Sequence, residues 1–282
     1  MTDAPHSVHF DDVYFSVHDG LAESTHVFLS GNHLPDRWQG RTHFTICETG
    51  FGTGRNFLNA WTAFENTTTP QQTLHYYAFE KHPLATSEIA QYLEQWASAF
   101  GGRLDKLVKD YPLRVGGWHT LRLSERVTLT LIFDDMNRAL PELDTPIDCW
   151  FLDGHAPAKN PDIWSDILFT HMTRLSAMGA TVATYTAAAL VRKGLEAAGF
   201  HVEKIRGFKH KLDMITGVFK AVRSPAGTLY IPKKIAVIGG GIAGASVAMD
   251  LSLRGVDVHV FEKTHLAAGG SGNRRGLFNP RF

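Results

Sequence analysis

The sequence predicts an α/β protein whose main domain is a doubly wound parallel sheet. From Thr42 onward, apolar strand-like runs alternate with helix-length segments, as expected for successive βαβ units. A glycine-rich turn follows the first of these strands, and a second glycine-rich turn begins at Gly239. The chain has 282 residues, 44% of them hydrophobic, which is enough to bury the core of one large domain or two modest ones.

The elements of the main domain can be predicted in chain order. Residues 1 to about 40 alternate polar and apolar side chains, which predicts short strands and turns ahead of the main sheet. Strands are then expected over residues 43–48, 74–80, 127–133, 147–152, 180–185, 201–205 and 214–222. Helices are expected over residues 56–64, 85–100, 164–178 and 188–198.

A change in composition divides the chain into two domains. Residues 224–232 contain two prolines and a glycine, which predicts a linker. Residues 1–223 then form the first domain, with 1–40 as an N-terminal extension, and 233–282 form the second. The second domain reads as a single βαβ unit. We expect it to be truncated, because so small a parallel sheet leaves its edges and faces uncovered.

Composition excludes several classes of protein. Lys+Arg and Asp+Glu are equal at 28 each, so any basic patch has to be local. Two cysteines cannot build a disulfide framework and fit a reducing compartment. No run approaches the roughly 18 apolar residues of a membrane span, and no secretion signal precedes the domain. We therefore expect a soluble cytoplasmic protein without a membrane partner, and the 15 scattered histidines predict no metal site.

The first glycine turn is typical of a nucleotide site that holds no diphosphate. Gly50, Gly52 and Gly54 let a ligand approach the backbone and the N–H groups of the following helix. Glu48 ends the strand before them, and its charge would repel a pyrophosphate but suit a cationic or amino-bearing ligand. S-adenosylmethionine, with a sulfonium, an α-ammonium and a nucleoside without phosphate, is such a ligand.

Acidic residues at the ends of the next two strands extend this site. Glu80 ends the second strand, the position that holds a ribose diol in doubly wound nucleotide sites. Asp134 and Asp135 end the third strand, where either can reach an adenine amino group. Each alone could be a solvated loop carboxylate, but the set beside one glycine turn favours a nucleoside site.

The fourth strand predicts the chemistry. Its apolar run delivers Asp153 to the carboxyl end of the strand, where ligands lie in such sheets. An amine has to lose a proton before its nitrogen can attack a methyl group, and Asp153 can accept that proton. The structural alternative is that Asp153 caps the loop or the following helix.

The second glycine turn has the pattern of a dinucleotide site. Gly239, Gly241 and Gly244 lie between a predicted strand and a predicted helix, and Glu262 ends the next strand. In such sites the pyrophosphate lies on the helix N-terminus and the acidic side chain binds a ribose hydroxyl. A glutamate at the ribose favours FAD or NAD over a cofactor with a 2′-phosphate.

A local excess of positive charge predicts an RNA contact. Residues 192–211 contain six lysines and arginines against two glutamates. Arg206, Lys209 and Lys211 flank Phe208, so phosphates could be held beside a ring on which an unstacked base rests. A solvated turn between two edge strands is the alternative. We expect no DNA partner, and the sequence does not indicate an oligomeric state.

Taken together, these motifs resemble those of the MnmC family. Its members are bifunctional enzymes that complete 5-methylaminomethyl-2-thiouridine at the wobble position of bacterial tRNAs. The resemblance rests on residues 48–57, on residues 153–161 and on the second glycine turn, and it extends over nearly the whole chain. It implies a Rossmann-like class I S-adenosylmethionine-dependent methyltransferase domain followed by an FAD-dependent oxidoreductase domain. The flavin half of such enzymes removes a carboxymethyl group, and the other half methylates the resulting aminomethyl group.

The resemblance also implies roles for single residues. The methyl-donor site would be lined by Glu48, Gly50, Gly52, Gly54 and Asn56. Glu80 would hold the ribose, Asp135 would face the adenine and Asp153 would contact the target amine. His155 stands where a phenylalanine is commoner in the family.

The resemblance favours FAD at the second glycine turn, since residues 267–276 are similar to a flavin-contacting loop. We expect that binding to be weak or absent in so short a domain. Two alternatives to a tRNA methyltransferase stay open at this point. One is a methyltransferase for small-molecule amines, and the other is an inactive fragment that only binds nucleotide or RNA.

Overall fold

The computed structural model of the protein describes residues 6–7, 12–13, 19–155, 159–209, 213–220, 234–253 and 256–273. By its contacts the chain divides into two units, Met1–Val222 and Arg223–Phe282. The predicted linker at 224–232 and the predicted RNA-binding residue Lys211 lie outside the described residues.

The strands of the first unit begin with a short antiparallel pair. That pair is β1 (His6–Ser7) and β2 (Asp12–Val13). The main sheet contains β3 (His43–Glu48), β4 (Thr73–Phe79), β5 (Gly117–Arg122), β6 (Val127–Phe133), β7 (Ile147–Phe151), β8 (Ser176–Thr184), β9 (Phe200–Arg206) and β10 (Asp213–Phe219).

The eight strands of the main sheet have the order β5-β6-β4-β3-β7-β8-β10-β9. The central strands β6, β4, β3, β7 and β8 are parallel. Both edges are antiparallel, with β5 on β6 at one side and β10 between β8 and β9 at the other. The predicted α/β class is confirmed. The antiparallel edges arise because short connections, such as the one from Arg122 to Val127, can join only antiparallel neighbours.

Helices lie on both faces of this sheet. The α-helices of the first unit are α1 (Gly20–Ser24), α2 (Arg55–Thr67), α3 (Thr86–Leu93), α4 (Ala97–Phe100), α5 (Arg103–Asp110), α6 (Met136–Ala139), α7 (Asp166–Leu175) and α8 (Ala189–Ala197). Shorter helical turns are Thr25–Leu29 (π-type) and, of 3₁₀ type, Ser30–Asn32, Asp36–Trp38, Glu94–Trp96, Leu140–Glu142 and Pro161–Trp164.

Two hydrophobic clusters, one on each face, hold the sheet between these helices. The cluster beneath α2, α3 and α5 includes Phe44, Phe57 and Tyr76, all fully buried. The cluster beneath α7 and α8 includes Trp150 and Met172, also fully buried. The carboxyl ends of β3, β4, β6 and β7 are thereby fixed as one rigid edge.

The N-terminal segment differs from its prediction. Strands and turns were expected up to about residue 40, but residues 20–32 are helical. Phe28 stacks on Phe151 with ring centroids 5.2 Å apart, and Trp38 packs edge-on against Phe64 at 5.3 Å. Val27, Phe28 and Trp38 are buried in the first cluster. Burial of these side chains makes the segment part of the core, and their helical spacing was obscured by short alternating runs.

Two predicted helices are shorter than expected. The helix predicted over 85–100 is interrupted after Leu93, and α5 follows it without having been predicted. Gly101 and Gly102, with φ of +57° and +83°, separate α4 from α5, a conformation that few other residues adopt. The helix predicted over 164–178 begins only after Ser165, whose hydroxyl accepts the Leu168 N–H. It ends at Leu175, because the following residues join β8.

The second unit is described over one βαβ element. It contains β11 (Lys234–Ile238), α9 (Ile242–Leu253) and β12 (Asp257–Phe261), with β11 and β12 parallel, and a 3₁₀ turn at Gly270–Gly272. Several large apolar side chains of this unit are exposed, among them Ile238 at 81% and Met249 at 66%. The predicted elements are therefore present, on a two-stranded sheet with little cover.

Two classes of feature are not found in the described part of the chain. None of its helices combines the length and apolar character needed to cross a bilayer. Nor do its histidines, cysteines and carboxylates come together in any group of three that could hold a metal ion.

Candidate active site

A cleft opens at the carboxyl ends of the central strands, the edge at which α/β sheets of this kind bind ligands. The empty space within it is about 940 Å³, a value that includes space open to solvent. Most of the residues predicted for the first site line it, namely Gly50, Gly52, Asn56, Glu80, Asp134, Asp135 and Asp153. Glu48 and Gly54 are not among the lining residues.

The glycine turn and Glu80 form one side of the cleft. Gly54 has φ +79°, and a Cβ there would lie 2.7 Å from the Phe51 ring, so only glycine fits. Gly52 N–H donates to Glu80 Oε2 at 2.7 Å, and His82 N–H donates to Glu80 Oε1 at 2.7 Å. These two backbone donors fix the carboxylate beside the turn.

Asp134 and Asp135 follow β6, the strand next to β4, and are held differently. Asp135 accepts the Asn137 N–H at 2.9 Å, which caps α6, and Lys81 Nζ donates to it at 2.7 Å. The hydrogen bond from Lys81 holds the pKa of Asp135 below its usual value. Asp134 Oδ1 accepts the Asp135 N–H at 2.7 Å. The cleft thus has a fixed carboxylate at the end of β4 and two after β6.

Glu48 lies behind the wall of the cleft and is fully buried. It shares a face of β3 with Phe44 and Ile46, so strand alternation directs its side chain into the core. Asn56 Nδ2 donates to its Oε1 at 2.7 Å, and the Tyr76 hydroxyl donates to its Oε2 at 2.9 Å. The structure therefore does not bring Glu48 to the surface where a ligand would meet it.

Asp153 is the carboxylate that the structure places between the core and the cleft. Its side chain is 21% exposed. Asn56 Nδ2 donates to Asp153 Oδ2 at 2.6 Å, and the Gly154 N–H donates to Oδ1 at 2.8 Å. Arg55 Nη2 lies 4.0 Å from Oδ2. The plane of the carboxylate is therefore fixed by donors on both oxygens.

Burial alters the acidity of this pair of carboxylates. Desolvation raises the pKa of Glu48 well above its usual range, and the Asp153 charge adds to the rise. Desolvation also raises the pKa of Asp153, while Arg55, the Gly154 N–H and Asn56 oppose the rise. A raised pKa makes the ionised Asp153 a better proton acceptor than an exposed aspartate.

Three residues around this pair were missed from the sequence. Arg55 and Tyr76 are buried beside the carboxylates, and Ser24 donates from its hydroxyl to Asn56 Oδ1 at 2.7 Å. Tyr76 could have been found, since it shares the alternation that places Leu74 and Ala78 inward on β4. Nothing in the sequence relates Ser24 to Asn56, because the contact is made only in the folded chain.

Two of the three predicted RNA-binding residues fall in the described chain, at one end of the β9–β10 pair. Arg206 is exposed, and its carbonyl lies 3.1 Å from His26 Nε2. Lys209 Nζ contacts Asp19 at 2.5 Å and lies over the Phe208 ring. Ile215 of β10 pairs with Thr184, the last residue of β8, so these residues lie at the edge of the sheet that carries the cleft.

The second glycine turn repeats part of this geometry within its own unit. Gly240 N–H donates to Glu262 Oε2 at 2.7 Å. A Cβ at Gly244 would lie 1.9 Å from the Gly239 carbonyl oxygen, so helix and strand approach too closely for any side chain. Ser271 Oγ accepts the Ile242 N–H at the start of α9, 2.9 Å away. Hydrogen bonds from backbone N–H groups hold the pKa of Glu262 below its usual value.

The two turns differ in how well they fit their predicted cofactors. The cleft presents five acidic residues against two basic ones, which suits a cationic nucleoside such as S-adenosylmethionine; they are Glu80, Asp134, Asp135, Asp153 and Asp162 against Arg55 and Lys81. The second turn has the glycine geometry for a dinucleotide. However, Ser271 already accepts from the Ile242 N–H at the start of the helix, the end that a pyrophosphate would approach.

Comparisons with known proteins match both units of the chain. Residues 99–220 match a family model of S-adenosyl-L-methionine-dependent methyltransferases. Residues 234–282 match a family model of FAD dependent oxidoreductases. The chain therefore combines a methyltransferase domain with a short FAD-oxidoreductase segment.

Curated relatives match nearly all of the chain. A protein of Marinomonas sp. (strain MWYL1) named "tRNA 5-methylaminomethyl-2-thiouridine biosynthesis bifunctional protein MnmC" is 40% identical to this chain, and the match covers 99% of this chain and 44% of that relative. The protein of the same name from Chromohalobacter salexigens is 44% identical, and the match covers 98% of this chain and 41% of that relative. The chain thus spans less than half the length of these curated relatives.

One solved structure supports the fold. The crystal structure of MNMC2 from Aquifex aeolicus superposes with a TM-score of 0.57 at 22% identity, covering 76% of this chain and 65% of that chain. At that identity the match shows the fold alone. The identity of 40–44% to the bifunctional relatives, across nearly the whole chain, shows that the chain belongs to the MnmC family.

Proposed function

We propose that the first unit methylates the aminomethyl group of a modified wobble uridine in tRNA, with S-adenosylmethionine as the methyl donor. The observation that carries this proposal is Asp153, a fixed carboxylate at the floor of an acidic cleft beside a glycine turn. The names of the curated relatives supply the substrate class.

Each side of the cleft has a role in this proposal. Glu80 would bind the ribose hydroxyls, and Asp134 or Asp135 would accept from the adenine amino group. When bound, S-adenosylmethionine supplies an electrophilic methyl group on a positively charged sulfur. Asp153 lines the same cleft beside the glycine turn, and we assign it to the approaching primary amine.

Methyl transfer to the amine requires a group that accepts a proton, and we assign that role to Asp153. The amine reaches the site as an ammonium, which has no free lone pair. Proton transfer to Asp153 frees the nitrogen pair, which forms the new N–C bond while the sulfur keeps the pair of the broken S–C bond. The desolvated Asp153 is suited to this step, because its raised pKa brings it closer to that of the amine.

The placement of the basic residues supports an RNA substrate. Arg206 and Lys209 lie at the carboxyl edge of the sheet, the edge that also carries Asp153. Phe208 lies 5.8 Å from the His26 ring and offers a surface for an unstacked base. We assign Arg206 and Lys209 to phosphate contacts on this ground, and Lys211 on its place in the sequence.

We assign the second unit to the FAD domain of the family, with weak FAD binding in this chain. Displacing Ser271 from the Ile242 N–H would oppose cofactor binding at this turn. The domain limits that we propose are residues 1–223, a linker at 224–232 and residues 233–282. A cytoplasmic location remains a prediction from the sequence.

The test is methyl transfer from labelled S-adenosylmethionine to tRNA that carries the aminomethyl intermediate. The same tRNA already methylated at that amine serves as the matched control. Label in the first tRNA alone supports the proposal. Label in a free aminomethyl nucleoside but not in the tRNA would instead indicate a small-molecule amine methyltransferase. Binding of S-adenosylhomocysteine without transfer to either substrate would indicate an inactive binding fragment.

A further inference from the structure

We propose that Ser24 and Asn56 are positioning residues that orient Asp153, and that Asn56 acts through this contact rather than by binding the methyl donor. The proposal rests on the function proposed for Asp153. It concerns a segment, residues 20–32, for which the sequence indicated no part in the site.

Both ends of the Asn56 amide form hydrogen bonds. Its Nδ2 donates to Asp153 Oδ2 at 2.6 Å and to Glu48 Oε1 at 2.7 Å, so both hydrogens are used. Its Oδ1 accepts from Ser24 Oγ at 2.7 Å and from the Arg55 guanidinium at 3.3 Å. The oxygen therefore faces donors and the nitrogen faces carboxylates. A flipped amide would place oxygen against oxygen at both carboxylates.

Ser24 adds a second donor to the oxygen end of this amide. A serine hydroxyl can donate or accept, so its direction depends on its other partner. Asn59 Nδ2 donates to Ser24 Oγ at 3.2 Å, which leaves the hydroxyl hydrogen for Asn56 Oδ1. Hydrogen bonds thus run in one direction from Asn59 through Ser24 and Asn56 to Asp153. Ser24 is 1% exposed, so a water molecule could take the place of its hydroxyl only if a cavity formed there.

The network holds Asp153 in the orientation that proton acceptance needs. Asn56 occupies one side of Oδ2 and Gly154 N–H occupies one side of Oδ1. Asp153 lines the cleft, where the substrate amine would bind. Because Asn56 donates to the ionised carboxylate, the contact also keeps the pKa of Asp153 from rising further.

The first experiment measures methyl transfer to aminomethyl tRNA by four proteins across pH. Ser24→Ala should lower kcat about tenfold, the rate equivalent of one neutral hydrogen bond, and Ser24→Thr should restore it. Thr62→Ala is the matched control. It removes a half-buried hydroxyl that donates to Leu58 O, outside the network, and should behave as wild type.

The second experiment distinguishes two alternative roles of Asn56, orienting Asp153 and binding the methyl donor. In Asn56→Ala the loss of its donor raises the pKa of Asp153, so the acid limb of kcat/KM should move to higher pH. Calorimetry should show S-adenosylhomocysteine binding close to wild type. A large loss of that binding with an unmoved acid limb would assign Asn56 to the donor site and overturn the proposal.

A third measurement does not depend on activity. In wild-type protein the Asn56 side-chain amide should be protected from hydrogen exchange by NMR, and Ser24→Ala should reduce that protection. If wild type transfers no methyl group but shows this protection, the proposed function fails while the orienting network stands. Unchanged exchange and an unchanged pH profile in Ser24→Ala would refute the role of Ser24.

Discussion

The two glycine turns share a local plan and differ in what surrounds them. In each, a carboxylate at the end of the second strand accepts a turn N–H at 2.7 Å, Glu80 from Gly52 and Glu262 from Gly240. The first turn is built on an eight-stranded sheet between two hydrophobic clusters, and the second on a two-stranded sheet. The local geometry of the two turns is therefore similar, although the packing around them differs.

Packing decides what chemistry each turn supports. Next to the first turn, buried strands exclude water, and desolvation raises the pKa of Asp153. At the second turn Glu262 is solvated, and backbone donors lower its pKa. Only the first turn has a carboxylate whose acidity is set by burial. A hydrophobic core behind a cofactor turn therefore gives the turn a carboxylate of altered acidity, which a reaction can use.

The largest expected effect is on methyl transfer, which should depend on the carboxylate beside the first turn and not on the one beside the second. Asp153→Asn cannot accept the proton, so methyl transfer to aminomethyl tRNA should fall about 10²-fold or more. Binding of S-adenosylhomocysteine should change little. The matched variant in the second unit, Glu262→Gln, should leave the rate unaltered. Single-turnover measurements on both proteins test this, and equal rates for wild type and Asp153→Asn would remove Asp153 from the chemistry.

A second comparison concerns stability. Gly54→Ala forces a Cβ into the Phe51 ring at φ +79° and should cost about 1–3 kcal/mol of unfolding free energy. Gly40 has φ +69°, and a Cβ added there would meet no atom within 4 Å, so Gly40→Ala measures the backbone part of that cost alone. Urea unfolding followed by tryptophan fluorescence is the measurement.

The same measurement tests whether the second turn is independent. All six tryptophans lie in the first unit, between Trp38 and Trp164. Gly244→Ala, whose Cβ would overlap the Gly239 carbonyl oxygen, should therefore leave the fluorescence transition unchanged. A shift like that of Gly54→Ala would show that the two units unfold together.

The pH dependence of stability should have opposite signs at the two turns. The folded pKa of Glu48 is raised, so its contribution is present below the unfolded pKa and is lost as pH rises through the folded value. The folded pKa of Glu262 is lowered, so its contribution is lost as pH falls through the folded value.

Two glutamine variants test these signs. Glu48→Gln should flatten the decline of unfolding free energy toward alkaline pH, and Glu262→Gln should slightly flatten the decline toward acid. Urea titrations between pH 4 and 9 by circular dichroism provide the comparison. A steeper alkaline decline in Glu48→Gln would contradict the raised pKa.

The smallest expected effect concerns RNA. Arg206→Ala should weaken tRNA binding a few-fold and reduce the slope of log K against log salt by about 0.7–1, as for one lost phosphate contact. Lys263→Ala removes an exposed lysine of the second unit and should change neither quantity. Filter binding at several salt concentrations is sufficient. An equal loss in both variants would indicate that the second unit also contacts the RNA.

Much of the fold followed from local patterns. Strand β3 and the core of β4 and β6 lie where apolar runs predicted them, because such runs are short and bounded by turns. The helical segment 20–32 and α5 did not, since their buried faces make sense only against the packed sheet. The residue roles of the sites remain predictions, although the structure gathers Glu80, Asp135 and Asp153 around one cleft.

Local sequence was sufficient to predict both glycine turns and the acidic residues that end the adjoining strands, because these depend on neighbours a few positions away and on strand periodicity. Tertiary structure alone decided that Glu48 lies behind the cleft and that Ser24 reaches Asn56, 32 residues away along the chain. It also decided the acidity of Asp153. Burial and long-range contacts are properties of the packed chain, and no local pattern encodes them.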